Sequence, residues 1–476
     1  PEHSDNGLLR NVDNWYYNAK SRLRYKYQDG DWIRDTTEFR GQWGISQDDQ
    51  GRLFYNYNWS QLHADLVPPN YLNRNPNHTA SSGIDHGVAQ DRRVFPIRAT
   101  PAVNRGYIPG VLSEDQRLME FTAACSPWIY RSSLFPSEYY GNAFVAEPAG
   151  NLVKRTVISE TGLVLSGIDP HPGKEFLAST DERFRPSSFA TGPDGALYIA
   201  DMYRGLIQHG EYLTPYLREQ TIGRGLEMPV HLGRIWKIVP RGKSSRTPPK
   251  LSQASNDDLI TFLSDEDGWY RDMAQRLLIE RDDKSVKEKL MSDPNSDELG
   301  RFHALWTLEG LDLLSTDFLL STFENYSGLI QNAALRMLEP FAQKSTSTRS
   351  KIALAMQAAA AEATPQEALQ LSLSSYVLES EMDESLLAVI FKNCGSDPLI
   401  RDAMMSSLAG REYDFLQRLW NSEDWKEKDQ NKEIFLETLA SAIIKMGDSK
   451  EIQGLLALAD KEELGWKENI LISGIS

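Results

Sequence analysis

A chain of 476 residues with 40 % apolar residues, 11 Trp and 19 Tyr has material for two or three packed domains and does not read as a disordered polypeptide. Its net charge of −16 disfavours a nucleic-acid partner. Two cysteines, Cys125 and Cys394, with no CxxC or CxxCH motif, leave no place for a thiolate zinc site or a covalent c-type haem, and no window nears the about 18 apolar residues of a transmembrane helix. The chain opens on Pro1, almost directly in a patterned segment, which reads as a piece of something longer.

Residues 1–240 alternate tight turns with short strands. Val12-Asp13-Asn14 leads into Trp15–Ala19, Asp49-Gln50-Gly51 into Arg52–Asn56, Tyr140-Gly141-Asn142 into Ala143–Ala146, and Asp194-Gly195 into Ala196–Asp201. Asn and Gly accept the positive φ that a tight hairpin demands. Asp13, Asp49, Gly141 and Asp194 are spaced by 36, 92 and 53 residues. That spacing is too wide and uneven for a β-sandwich, and a β-propeller with loop insertions accommodates it. Four units are few for a closed ring, so the expectation is an incomplete propeller, truncated at its N-terminus.

Residues 59–120 hold six prolines and no convincing long element, so a long insertion is expected there. Residues 201–232 form a second insertion, and Arg234–Val239 reads as a closing strand. Residues 241–251, polar and Pro-rich, read as a linker.

From 252 to 476 the pattern is helical. Helices are expected at 257–263, 269–280, 302–308, 330–338, 349–362, 384–393, 398–408, 432–446 and 449–459. Three pairs, Ala274/Leu278, Ala304/Leu308 and Ala334/Leu338, recur at a step of 30 residues. A period of this size marks stacked helix pairs, which bury their apolar faces only on a neighbour, so a HEAT-like α-solenoid is expected. His303, beside Ala304, reads as a packing residue.

The stretches "EFRGQWGISQDDQGRLFYNYNWSQLHADLVPPNYLNRNP", "LFPSEYYGNAFVAEPAGNLVKR" and "EFLASTDERFRPSSFATGPDGALYIADMYRGLIQH" resemble the propeller of large bacterial membrane-bound or periplasmic dehydrogenase-like proteins related to the glucose/sorbosone dehydrogenases. "GWYRDMAQRLLIERDD" and "RFHALWTLEGL" resemble the HEAT repeats that follow it, before a c-type cytochrome domain. The resemblance implies a periplasmic or cell-envelope protein that oxidises a sugar or other alcohol. It also implies pyrroloquinoline quinone held on Ca2+ at the propeller mouth, with electrons passing to a cytochrome domain or partner through the solenoid.

By that pattern His3, ahead of Asn6-Gly7-Leu8, falls on the general-base position and Arg40, ahead of Gly41-Gln42-Trp43-Gly44, on the quinone-neutralising position. Arg131 falls on a further cationic quinone contact. Gln42, His63 and Arg185 complete the candidate cofactor-binding set, and no metal ligands are assigned. The chemistry is coherent, because a His near neutral pKa takes the proton and cations stabilise charge on the acceptor.

Where the relatives carry further basic residues this chain has Glu147-Pro148-Ala149-Gly150. That departure favours an alternative: a non-catalytic glycan- or protein-binding propeller with a solenoid scaffold inside a larger cell-envelope assembly. A third reading is a lactonase-type hydrolase, with Asn14, Asn56, Asn142 and Asp201 around a calcium ion. His78, His86 and Asp85 lie in the first insertion; Asp85-His86 is a candidate for binding a metal or substrate, against the alternative that histidines in loops are mostly solvated.

Overall fold

The structure is a computed structural model that describes residues 4–28, 30–292, 297–378, 380–460 and 465–475. Antiparallel sheets come first and a helical region follows. By internal contacts the chain forms two compact units, residues 1–66 with 85–313, and residues 67–84 with 314–476. The change from strands to helices therefore falls inside the first unit.

Among its described residues that unit holds four open sheets, each built of strands in chain order. The first joins β1 (Asn6–Arg10), β2 (Tyr16–Ala19), β3 (Leu23–Gln28) and β4 (Asp31–Thr36). The second joins β5 (Ile45–Gln47), β6 (Leu53–Tyr57), β7 (Ser60–Ala64) and β8 (His86–Gly87). The third joins β9 (Cys125–Ile129), β10 (Ala143–Glu147), β11 (Leu152–Thr161) and β12 (Val164–Ile168), with β13 (Leu177–Ala178) also on β11. The fourth joins β14 (Pro186–Thr191), β15 (Leu197–Asp201) and β16 (Arg234–Ile238), with α1 (Pro215–Gly223) between its last two strands. Each of the four turn-plus-strand segments read from the sequence supplies the second strand of one sheet, namely β2, β6, β10 and β15. Helices α2 (Asn256–Phe262), α3 (Gly268–Arg281), α4 (Lys287–Ser292) and α5 (Glu298–Gly310) complete the unit.

Three of the four hairpins are tied by an aspartate, and in the third sheet Asn142 Nδ2 donates to the Tyr140 carbonyl instead. Asp13 accepts the Trp15 N–H through Oδ1 and the Tyr17 hydroxyl through Oδ2. Asp194 accepts the Ala196 N–H and the Tyr198 hydroxyl in the same way. Asp48 accepts the N–H groups of Gln50 and Arg52 and the Arg52 Nε–H. An Asp whose side chain mimics the turn backbone fixes the hairpin and, four residues on, the strand.

The sheets pack on one another in chain order, the first strand of each lying against its neighbours. Tyr17, Ala19, Ile45 and Leu53 form the core between the first two. Phe144, Val153, Phe189, Leu197 and Ile199 form the core between the third and fourth. The first strands approach closely where side chains are small. A Cβ on Gly7 would lie 2.8 Å from the Gly44 Cα, and one on Gly44 would lie 2.8 Å from the Ser126 Cα. Gly7, Gly44 and Ser126 all have positive φ.

The first strands of three sheets are bulged alike. Asn6 to Leu9 faces only Ala19 to Tyr17, Cys125 to Trp128 faces Ala146 to Phe144, and Pro186 to Ser188 faces Asp201 to Ala200. One extra residue per first strand twists each sheet in the same way.

In the second unit, α6 (Thr316–Asn325), α7 (Gly328–Lys344), α8 (Thr346–Ala360), α9 (Pro365–Ser374), α10 (Ser380–Cys394) and α11 (Pro398–Ser407) pack with α12 (Glu412–Asn421), α13 (Gln430–Met446), α14 (Ser449–Ala459) and α15 (Trp466–Ile475). Side chains cap the starts. Ser345 and Asp429 accept first-turn N–H groups, and Thr364 forms a capping box with Glu367. Ala274, Leu278, Ala304, Leu308, Ala334 and Leu338 are all buried, as the 30-residue recurrence requires.

Residues 67–84, expected to be part of a long insertion, are an integral part of this unit. Tyr71 donates to Glu339, and Arg74 lies between the Tyr71 and Tyr376 rings, 3.9 and 3.6 Å from their centroids. Asn75 Nδ2 donates to the Met405 carbonyl and to Glu412. His78 Nε2 is 2.8 Å from Asp402, which also accepts from the N–H and hydroxyl of Ser81. Both cysteines are free, and no helix among the described residues is long and apolar enough to cross a membrane.

Candidate functional site

His3 lies outside the described residues. Arg40, Gln42 and His63 all belong to the second sheet and its approaches, and Arg40 and His63 are brought into one cluster.

Arg40, 1 % exposed, precedes β5. Its Nε donates to Asp65 Oδ2 at 2.6 Å, Nη1 to Thr37 and the Glu38 carbonyl, and Nη2 to the Glu38 carboxylate at 2.9 Å. Burial pulls the guanidinium pKa down, but Asp65 and Glu38 outweigh it, and the group is held charged. Asp65 in turn accepts from the Tyr55 hydroxyl at 2.7 Å and from the Asp85 N–H at 3.3 Å through Oδ1. Burial first, then the Asp65 charge, push the Tyr55 phenol up, so it stays a donor. Gln42 is spent on architecture, with its Oε1 accepting the Asn58 N–H and its carbonyl accepting from Asn6 Nδ2.

The His63 imidazole packs against the Tyr55 ring and stands edge-on to Tyr57. Its Nδ1 lies 3.0 Å from Asp85 Oδ1 and 3.2 Å from the Asp85 carbonyl, and its Nε2 lies 2.7 Å from Ser60 Oγ. Asp85 Oδ2 accepts from the Tyr57 hydroxyl at 3.0 Å. Above this group Trp59, 57 % exposed, lies parallel to Tyr57, with ring centroids 6.4 Å apart. Arg92, 5.8 Å from the Trp59 ring and paired with Glu120, borders it.

The other two arginines belong to different clusters. Arg131 donates to Asp49 at 2.6 Å and to both oxygens of Asp272 on α3. Arg271 of α3 also pairs with Asp49, and Tyr140 donates to it. Burial favours the protonated carboxyl, yet Arg131 and Arg271 hold Asp49 well below the usual carboxylate range. A Cβ on Gly268 would lie 2.8 Å from the Arg131 guanidinium, so α3 must start on glycine for the helix to dock there. Arg185 donates to the carbonyls of Arg204, Pro148 and Gly205, and burial pulls it down to about 10.

These placements do not fit a quinone. Arg40 and Arg131 are each neutralised by two carboxylates, and Arg185 is buried against backbone carbonyls, so these three guanidinium groups are already engaged within the protein. The proposed calcium ligands are likewise engaged. Asn14 donates to the Trp306 carbonyl and to Glu309, Asn142 accepts from Arg155, and Asp201 accepts from the Arg185 N–H and Trp236 Nε1. Among the described residues no three His, Cys, Asp or Glu side chains converge as a metal set. His86 Nε2 donates to the Leu165 carbonyl at 2.7 Å, which ties β8 to the strand β12 of the third sheet.

Ser60 and Asp85 escaped the sequence reading as a pair with His63. Asp85 lies 22 residues beyond His63, and only the pairing of β7 with β8 across residues 67–84 returns it.

A family model described as a domain of unknown function, DUF7133, matches residues 1–242, and the chain belongs to that family. No curated protein and no solved structure gives a significant match.

Proposed function

We propose that the protein is a glycan-binding module of a cell-envelope assembly, its sheets the blades of an incomplete propeller and its later helices a HEAT-like scaffold for partners. The ring-like reading is supported by sheets that pack in succession, by first strands bulged alike in three of the four sheets, and by close approach at Gly7, Gly44 and Ser126.

One observation carries the binding reading: the exposed Trp59 ring, bordered by Arg92 and parallel to Tyr57, whose hydroxyl donates to the Asp85 carboxylate. Sugar rings present an apolar C–H face to an aromatic ring and hydroxyls to charged side chains, so such a platform suits them. Quinone-dependent sugar oxidation rests on the resemblance alone, because Arg40, Arg131 and Arg185 have other work.

The test is retention of the full chain on immobilised neutral and acidic polysaccharides, with quenching of tryptophan fluorescence as a second readout. At least one class should retain the wild type and lose Trp59→Ala. Equal retention of both proteins, or of neither on every polysaccharide, would remove the reading.

A further inference from the structure

Ser60, His63 and Asp85 form a chain of hydrogen bonds whose polarity, for a neutral imidazole, follows from the partners of His63. Both groups near His63 Nδ1, the Asp85 carboxylate and the Asp85 carbonyl, are acceptors, so we assign the ring proton to Nδ1. Nε2 then carries the lone pair, and the Ser60 hydroxyl 2.7 Å away must donate to it. A base that accepts the proton of a hydroxyl, and is itself oriented by a carboxylate, is the arrangement that activates a serine.

Two backbone irregularities build it. In a regular strand residues three apart point to opposite faces. Here Tyr55 pairs with His63 but Tyr57 pairs with Ser60, so β7 carries one residue more than β6 over this stretch and Ser60 returns to the face of His63. Asp85 sits at φ 57°, a left-handed conformation uncommon for a residue with a side chain. Asp65 holds its N–H, Tyr57 holds its second oxygen, and Arg40 anchors Asp65. The imidazole is fixed between Tyr55 and Tyr57.

We propose that Ser60 is an acyl-transfer nucleophile, with His63 as its base and Asp85 as the positioning residue, acting on carboxylic esters of small acyl groups whose alcohol part rests on Trp59. Ser60 Oγ attacks the carbonyl carbon as its proton passes to His63 Nε2. The alcohol leaves with that proton. Water, deprotonated by the same imidazole, then cleaves the acyl-serine to the free acid and restores Ser60. This goes beyond glycan binding and does not need a glycan on the platform.

The experiment treats the full chain with a small alkyl fluorophosphonate, which phosphonylates an activated serine with loss of fluoride, and reads the adduct by peptide mass spectrometry. Ser60 should carry the adduct, and Ser60→Ala should carry none. His63→Gln should label about 100-fold more slowly. Asp85→Asn should also slow, and Asp85→Glu should recover part of the rate, a rescue that a purely structural carboxylate would not produce. Circular dichroism checks that each variant is folded. No adduct at Ser60 on folded wild type, or an adduct rate untouched in folded His63→Gln, overturns the proposal. Either result leaves glycan retention to be judged separately, since labelling uses no glycan.

Discussion

Arg40 and Arg131 are both cationic candidates that directly follow an aromatic residue, Phe39 and Tyr130, yet they do different structural work. Arg40 pairs with Glu38, Thr37 and Asp65, all on the approaches of one sheet, and so closes the second sheet on itself. Its cluster still reaches solvent, because the Asp85 side chain is 44 % exposed. Arg131 binds Asp49 from the second sheet's hairpin and Asp272 from α3, so it welds two sheets to a helix. Buried charge therefore serves two ends in the same unit: one cluster supports a polar surface group, and the other decides which helices belong with the sheets.

Removing each cation separates these roles. Arg40→Ala strands Asp65, itself 1 % exposed, without a counter-charge and should cost about 3–5 kcal/mol by urea unfolding. Its hydrogen exchange should rise first in β7. Arg131→Ala should cost less, about 2–3 kcal/mol, because Asp49 keeps Arg271 and Tyr140. There the exchange should rise in α3. Equal exchange profiles for the two variants would erase the distinction.

Glu147 is a third kind of buried charge, held by backbone alone. Its carboxylate accepts the N–H groups of Thr122, Ala123 and Ala149, although burial pushes its pKa up to about 7. Glu147→Gln turns one acceptor into a donor facing other donors and should cost about 1–3 kcal/mol. A neutral result would mean that the carboxyl is protonated in the folded state.

The strands were legible because turn chemistry is local. Asp13, Gly141 and Asp194 announce hairpins within four residues of the strands they start. Nine of the described helices were equally plain from their apolar periodicity, while α1, α4, α6, α9, α12 and α15 are not in the sequence reading, although the Thr364-Pro-Gln-Glu367 start of α9 is a capping signal. What could not be read was long-range. Nothing near Tyr71 or Arg74 says that they will pack on Glu339 and Tyr376, some 268 and 302 residues later in the chain. Nothing near Arg40 says that its charge is already met, because Asp65 reaches it only once β6 and β7 have paired. The Ser60–His63 contact depends on a one-residue bulge, and the alternation rule alone assigns the two side chains to opposite faces.

His303 gives the smallest and most selective test of how the helices are joined to the sheets. Its Nδ1 is 2.7 Å from Gln275 Oε1, Gln275 Nε2 donates to the Val12 carbonyl and to Asn14, and Asn14 donates to Glu309, which pairs with Lys26. Burial pulls the imidazole pKa down to about 3. Between that value and the ordinary 6.5, the unfolded chain binds a proton that the folded protein refuses. Stability is therefore full above about pH 6.5 and falls as the pH drops, by at most about 1.4 kcal/mol per pH unit from this residue. His303→Gln keeps a donor for Gln275 and removes the titration. It should change stability little at pH 7 and flatten the decline between pH 6 and 4, measured by urea midpoints at each pH. If the decline keeps its slope, the acid sensitivity of the joint lies with other groups, and the neutral-histidine account of this relay fails.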